Sequence, residues 1–486
     1  MAYDLRLPAR GTWKTCIDVA PVVDGQKHAP LLGCDSFGKA EPKMQISVQD
    51  WMESAPELDT DDEDLQRIYR QSLLDLAALR IRPSEQLQLA MPAGGLPWFM
   101  TVFGRDSIIA SYQALPFQPH LAEATLECLA ELQASDFDHF ADAEPGKIVH
   151  ELRRGAFAGI GRIPRLYYGT HDATPLFLIL LDEYERWTAD RAFVRKLEDA
   201  ARAALDWIEG PGDQDGDGWL EYRKRSSSPT ALDNQGWKDS SDSMRFADGR
   251  LAEPPIACSE VQAYAYDARR RAARLAREVW KDGELARKLD RDADDLKRRF
   301  NRTFWDGRRR QYLLALDGEK QPVDATASNM GHLLWSGIVD QGRAAQVVRR
   351  LLRADLFSGW GIRSLSGEME GFDPLGYHTG CVWPHDTAII AEGMRRYGFR
   401  AEASRLAKCL FEAAAAFENR LPEVFSGFER DDTGVPVPYP DALVPQAWSA
   451  GAPLLALRTI LGLDAAGGKR RSSPHLPDGL GKLRLR

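Results

Sequence analysis

Two acidic side chains stand in loops that are rich in aromatic residues. One loop reads Asn234-Gln-Gly-Trp-Lys-Asp-Ser-Ser-Asp-Ser243. The other reads Arg420-Leu-Pro-Glu-Val-Phe-Ser-Gly-Phe428, continued by Pro438-Tyr439-Pro440 and Gln446-Ala-Trp448. Two carboxyl groups facing each other across a pocket can hydrolyse a glycosidic bond with inversion. One protonates the departing oxygen and the other activates a water on the far face of the sugar, across a gap of about 6.5–9.5 Å. Asp239 is expected as the acid, because Trp237 beside it limits solvation and raises its pKa. An ammonium at Lys238 opposes that rise if it lies close. Asp233 and Asp242 compete for the role, and the simpler alternative makes Asp239 a turn cap among Ser240, Ser241 and Ser243. Glu423, behind Pro422 and near Phe425 and Phe428, is expected as the base; its alternative is a capping or ion-paired loop carboxylate.

Further polar and aromatic residues fall in comparable loops. Arg105-Asp106 follows Trp98-Phe-Met-Thr-Val-Phe103-Gly, and a guanidinium fork beside a carboxylate suits adjacent sugar hydroxyls. A structural ion pair with Asp106 as helix cap is the alternative. His150-Glu151, Tyr377-His378, Trp383-Pro-His385-Asp386, Gln446 and Trp448 are candidates for substrate contact or for loop bracing. The aromatics Trp98, Phe99, Phe103, Tyr167, Tyr168, Trp237, Trp360, Tyr377, Trp383, Tyr439 and Trp448 match the apolar C–H faces of sugar rings. For any one of them ordinary packing is the better explanation; their concentration carries the argument. Asp213-Gln-Asp215-Gly-Asp217-Gly218 resembles the start of a calcium loop, but Lys224 stands where a bidentate Glu is expected, so a plain Asx/Gly turn is preferred. No cofactor is required, and no GxGxxG, P-loop, HExxH or GxSxG element supports a nucleotide, zinc or serine-triad chemistry.

The elements that must hold these residues are helical. Twelve segments can be marked out, and the loops between them alternate long and short. Long loops fall at about 81–103, 138–171, 210–256, 305–323, 354–381 and 419–443. Short ones fall near 115–118, 189–191, 280–282, 337–340 and 398–399. With antiparallel neighbours, every long loop reaches the same end of the molecule, and long structured loops are usually functional. Leu65, Ile68, Tyr69, Leu73, Leu76 and Leu79 recur at helical spacing with charges opposite, as do Leu121 to Leu132 and Phe193 to Ile208. Pro175 to Leu181, Ala325 to Trp335, Thr387 to Ala391 and Ala447 to Leu463 are apolar or small nearly all round, the mark of a buried helix. Outer amphipathic helices alternating with buried inner ones predict a mainly α fold, an (α/α)6 toroid. An α-solenoid is the alternative, but no fixed repeat length is found. In a six-hairpin ring the third and sixth hairpins lie opposite, which sets Asp239 against Glu423.

Residues 46–463 are expected as the catalytic domain. Residues 1–45 read as a remnant of an N-terminal β-domain, with alternating Trp13 to Val23 and a turn at Asp24-Gly25. Residues 464–486 read as a linker and a strand-like tail. The 486-residue chain is 44% hydrophobic, enough for a large core. Its net charge of −9 argues against nucleic acid as a partner. No apolar run spans a bilayer and no signal-peptide pattern opens the chain, so no membrane partner is expected. Cys16, Cys34, Cys128, Cys258, Cys381 and Cys409 lack CxxC spacing and read as reduced thiols of a cytoplasmic enzyme. The sequence does not fix the oligomeric state.

Pro97-Trp-Phe…Phe103-Gly-Arg-Asp-Ser107, Gly146 to Gly155, Tyr168-Gly-Thr-His-Asp-Ala-Thr-Pro175, Asn234 to Ser240, Val382-Trp-Pro-His-Asp-Thr387, Leu421-Pro-Glu423 and Pro445-Gln-Ala-Trp448 together resemble the bacterial amylo-α-1,6-glucosidase, glycogen-debranching-like family. The similarity runs from about Gly11 to Leu463. It implies an inverting (α/α)6 glucosidase domain, with the Asp of Trp-Lys-Asp as acid and the Glu of Leu-Pro-Glu as base; these are Asp239 and Glu423. It also implies that Arg105 and Asp106 hold the terminal glucose. The expected substrate is an α-1,6-branched, glycogen-like oligosaccharide. Two other functions remain open: a sugar epimerase of the same fold, working through histidines such as His150, His332, His378 and His385, and a non-catalytic glycan-binding protein.

Overall fold

The computed structural model describes residues 4–8, 11–13, 15, 17, 22–23, 26–27, 46–83, 89–153 and 163–486. Six inner helices run Gly104–Ala114, Ala173–Thr188, Ser259–Leu275, Met330–Ser336, Pro384–Arg396 and Ala447–Leu461. Each packs on the next, and the sixth packs on the first. That closure makes the fold an (α/α)6 toroid and excludes the open solenoid. Outside stand Glu63–Ala78, Pro119–Glu131, the pair Arg191–Lys196 and Glu198–Glu209, Gly283–Thr303, Gln341–Leu351 and Arg400–Ala416.

The outer helices follow from amphipathic spacing and capping. In Gly283–Thr303 the buried positions are Ala286, Leu289, Ala293, Leu296, Phe300 and Asn301, while Asp282 accepts the Leu285 N–H as N-cap. Asp62 and Asp190 cap two other outer helices in the same way. The inner helices begin differently. Only Gln446 caps its helix through a side chain; the other five start without one. Their first-turn N–H groups and positive dipole ends are therefore left facing the loop end of the ring, where negative charge is favoured.

Two helices depart from the expectation. The fourth inner helix begins at Met330, not near Ala325. The third, Ser259–Leu275, is buried yet carries Glu260, Asp267 and Arg271, so it does not read as apolar. Asp267 and Arg271 join an ion network at the closed end of the ring. Arg271 reaches Asp182 at 2.9 Å, Glu183 at 2.7 Å and Asp267 at 2.9 Å. Arg458 meets Glu183 at 2.5 Å, and Arg395 meets Glu392 at 2.8 Å. Arg396 donates to the Tyr112 hydroxyl at 2.8 Å, and so does the Trp335 indole at 3.1 Å. All six inner helices are tied together there.

At the termini, Val22–Val23 pairs antiparallel with Gln26–Lys27 on either side of Asp24-Gly25. That turn, much of the 13–23 segment, Cys16 and Cys34 lie outside the described residues. Asp464–Ala466 pairs with Lys469–Arg471 as a hairpin, and Leu483–Leu485 pairs antiparallel with Leu58–Thr60. Cys128, Cys258, Cys381 and Cys409 are buried. No described helix is long and apolar enough to cross a membrane.

Candidate active site

The six long loops and the inner-helix N-termini share one end of the ring. Asp106, Glu260 and Asp386 each sit in the first turn of an inner helix, and Asp172 precedes another. Gly104 opens the first inner helix because that backbone presses on the His150 segment. Its N–H donates to the His150 carbonyl at 2.9 Å, and a Cβ there would lie 2.0 Å from the Val149 carbonyl oxygen. Arg105 is thereby set into the centre. Its guanidinium binds Asp239 Oδ2 at 2.7 Å, Asp172 Oδ2 at 3.3 Å and the Gly236 carbonyl at 2.9 Å.

Asp239 is held by its neighbours and stays about a quarter exposed, with a side-chain accessibility of 26%. The Ser240 carbonyl accepts from Asn234 at 2.8 Å, and the Ser240 hydroxyl lies 2.9 Å from His378 Nδ1. Burial pushes the Asp239 carboxyl above its ordinary value. Arg105 opposes this by charge and hydrogen bond, and Asp172 adds to the rise. The competing acids lie outward. Asp233 is exposed and paired with Lys224 at 2.6 Å; Asp242 is exposed and accepts from the Ser240 hydroxyl at 2.8 Å.

Glu423 enters from the sixth loop, three places round the ring from the third. Oε1 accepts the Tyr377 hydroxyl at 2.8 Å, and Oε2 accepts the Leu443 N–H at 3.2 Å. Its backbone N–H and carbonyl bind the Leu443 carbonyl and the Ser449 hydroxyl. Burial raises its pKa, the Tyr377 and Leu443 donors pull it down, and the Asp239 charge pushes it up again. Asp106 belongs to the same neighbourhood. It accepts from Gln446 Nε2 at 3.0 Å and is pushed up to about 7, first by burial, with Arg105 opposing and Asp239 and Glu423 adding their charge. Asp239 and Glu423 both add to the rise at Asp106, and Asp239 adds to that at Glu423, so the three carboxyl groups form one electrostatic core.

Lys238 points away from this core. It is buried, donates to the Ser364 carbonyl at 2.5 Å and is pushed down to about 8 by burial, with Asp386 and Glu260 opposing. The expected aromatic stacking surface is corrected for most of its members. Trp237, Trp383 and Trp448 are buried and interlock with imidazoles: His385 stacks on Trp448 at 3.7 Å, His378 on Trp383 at 5.0 Å, and Trp237 meets His385 edge-on at 5.1 Å. Tyr167, Tyr168 and Trp360 are buried too. Trp237, Trp383 and Trp448 with their imidazoles form the floor. Phe103 is wedged between Phe99 and His150, while Trp98 stands exposed at the rim. Burial lowers the pKa of His150, His378 and His385 well below the usual imidazole value. Glu151 lies on the Glu151–Leu152 strand and pairs with Arg153 at 2.7 Å.

Asp172 and Tyr264 gain site positions that the residue reading did not assign, whereas Tyr377, His332 and Asp386 were candidates: Tyr377 bonds Glu423, and His332 bonds Tyr264 and meets Asp386 at 2.7 Å. Asp172 could have been found, because it sits at an inner-helix start just as Asp106 and Asp386 do. For the calcium-like loop, Asp213, Asp215 and Asp217 bring ligand oxygens within 4.8 Å of one another. The Lys320 ammonium lies among them, 2.9 Å from Asp215, 2.9 Å from Asp217 and 2.5 Å from Glu221. The chain supplies its own cation there, and this donor set does not fit a resident divalent ion.

The mannosylglycerate hydrolase MGH1-like glycoside hydrolase domain matches residues 105–429, which span both Arg105 and Glu423. The chain belongs to that family. It is therefore a glycoside hydrolase of the six-hairpin class, and its substrate is a carbohydrate. The fold resembles that of GH63 mannosylglycerate hydrolase from Thermus thermophilus bound to Tris, at 17% identity and a TM-score of 0.59, covering 80% of this chain and 100% of that one. The glucose complex of that enzyme gives 17% identity and a TM-score of 0.60 with the same coverage. A sialidase matches at 12% identity and a TM-score of 0.62, covering 92% of this chain and 39% of its own. No curated protein matches the chain.

Proposed function

We propose that this glycoside hydrolase cleaves α-glycosidic bonds with inversion, Asp239 acting as general acid and Glu423 as general base. The observation that carries the reading is the pairing of two carboxyls from opposite loops, each raised above its ordinary value, with Asp239 acting electrostatically on Glu423. Glu423 keeps its proton acceptor oriented through Tyr377 and Leu443 and takes the proton of the attacking water. Asp239 delivers its proton to the glycosidic oxygen as the bond breaks, and the sugar leaves with inverted configuration. Arg105 and Asp106 bind hydroxyls of the terminal ring. Each proton transfer is worth about 10²–10⁴-fold in rate.

The substrate we favour is an α-1,6-linked gluco-oligosaccharide of glycogen-like character, which the motif resemblance supports. A hexosyl glycerate is the second reading, supported by the family's description. An epimerase working through histidines is disfavoured, because His150, His378 and His385 are buried and held neutral among aromatic rings. Asp239→Asn and Glu423→Gln test the assignment. Each is expected to lower kcat by about 10²–10⁴-fold with little change in fold by circular dichroism. Hydrolysis at the wild-type rate by either variant would remove that residue from the mechanism.

A further inference from the structure

We propose that Trp98 is the platform for a second sugar ring on the leaving-group side, so that the natural substrate carries a neutral saccharide aglycone. This rests on the hydrolytic reading above and narrows its substrate class. Most aromatics near the site are consumed by the floor, where Trp237, Trp383 and Trp448 lie packed against histidines and are buried. Trp98 is the opposite case: 76% of its surface is exposed, with Phe99 at 41% beside it. An indole left in water forfeits the burial that a ring of its size normally contributes, and exposed apolar patches on a rim mark binding surfaces.

The indole is presented by a braced turn. Gly95 and Phe99 exchange backbone hydrogen bonds at 3.0 and 2.9 Å, which puts Trp98 in the loop they close. The Leu96 N–H donates to the Pro445 carbonyl at 3.0 Å, and the Ala447 N–H donates to the Gly94 carbonyl at 2.9 Å. Gly94 has no room for a side chain, since a Cβ would come within 2.8 Å of the Phe103 ring. Gln446, between those two contacts, holds Asp106. The turn that carries Trp98 is thus fastened to the wall that carries the ring-binding carboxylate. Phe99 packs on Phe103 at 5.3 Å, so the indole lies outward of the residues around Arg105. A ring seated on it belongs beyond the scissile bond. The face of an indole complements pyranose C–H groups and offers no partner to a glycerate carboxylate.

The test compares Trp98→Ala and Trp98→Phe in the full chain on three substrates: α-glucosyl fluoride, an α-1,6-linked glucose trisaccharide and α-glucosylglycerate. In Trp98→Ala the kcat/KM ratio of trisaccharide to fluoride is expected to fall about tenfold, through KM. Trp98→Phe should recover most of that ratio. An unchanged ratio with fluoride still hydrolysed overturns the platform and leaves the acid–base pair standing. A wild-type preference for glucosylglycerate over the trisaccharide overturns it as well. Trisaccharide hydrolysis by Asp239→Asn and Glu423→Gln at the wild-type rate defeats the hydrolytic reading, and the platform with it.

Discussion

In the proposed mechanism Glu423 is the base, and a single hydroxyl sets its working pH. Burial and Asp239 raise its carboxyl, and the Tyr377 hydrogen bond at 2.8 Å holds it back. The base must be ionised, so activity is lost as pH falls through its pKa. Removing the hydroxyl in Tyr377→Phe raises that pKa further. The acid limb of the kcat/KM profile is therefore expected to move to higher pH, while the basic limb, set by the proton on Asp239, stays nearly fixed. An acid limb that does not move would show that Tyr377 only packs. Asp239 and Glu423 stood out in the sequence because each lies among aromatic residues in a long loop. Asp172 did not, and Tyr377 was a candidate without a partner, because their roles depend on which loops meet, and that is set only when the ring closes.

The loop from Asp213 to Glu221 illustrates the same limit for an element. Its alternating acids resemble an oxygen cage, and Lys224 in place of the expected Glu makes a plain turn the preferred reading. The sequence does not show that Lys320, from the next long loop, places its ammonium among Asp215, Asp217 and buried Glu221. Lys224 is taken up by Asp233 instead. The Lys320 pKa is raised by these acids against its burial, so the charge persists at working pH. Lys320→Met leaves Glu221 buried without its cation and is expected to destabilise the protein by about 1–3 kcal/mol. Thermal melts with calcium and with chelator check this. The wild type should melt alike in both, and the variant should recover part of its loss with calcium; a calcium-dependent wild type would contradict it. The helices were legible because amphipathic and all-apolar spacing differ sharply. The third inner helix was not, since Asp267 and Arg271 look like surface residues until their partners are known.

Across the whole molecule the two ends of the ring do opposite work. At the closed end, acids and arginines are matched nearly one to one: Arg271 with Asp182, Glu183 and Asp267, Arg458 with Glu183, Arg395 with Glu392. At the open end Asp106, Asp172 and Asp239 share Arg105, Glu260 and Asp386 lie near Lys238, and the carboxyl pKa values of Asp106, Asp239, Glu260 and Glu423 are raised. In the proposed mechanism stability is concentrated in one end and reactivity in the other. Arg458→Met should leave Glu183 with Arg271 alone in the closed end and lower stability by about 1–3 kcal/mol in urea unfolding, leaving KM close to wild type. A large rise in KM with unchanged stability would contradict that division.

In the proposed mechanism a water activated by Glu423 attacks the anomeric carbon opposite the oxygen protonated by Asp239. Proton NMR of the first turnovers on an α-linked gluco-oligosaccharide reads this directly. The β-anomer of the released sugar is expected to appear first and then mutarotate. Release of the α-anomer would mean retention, and would contradict the pairing of these two carboxyl groups across a water.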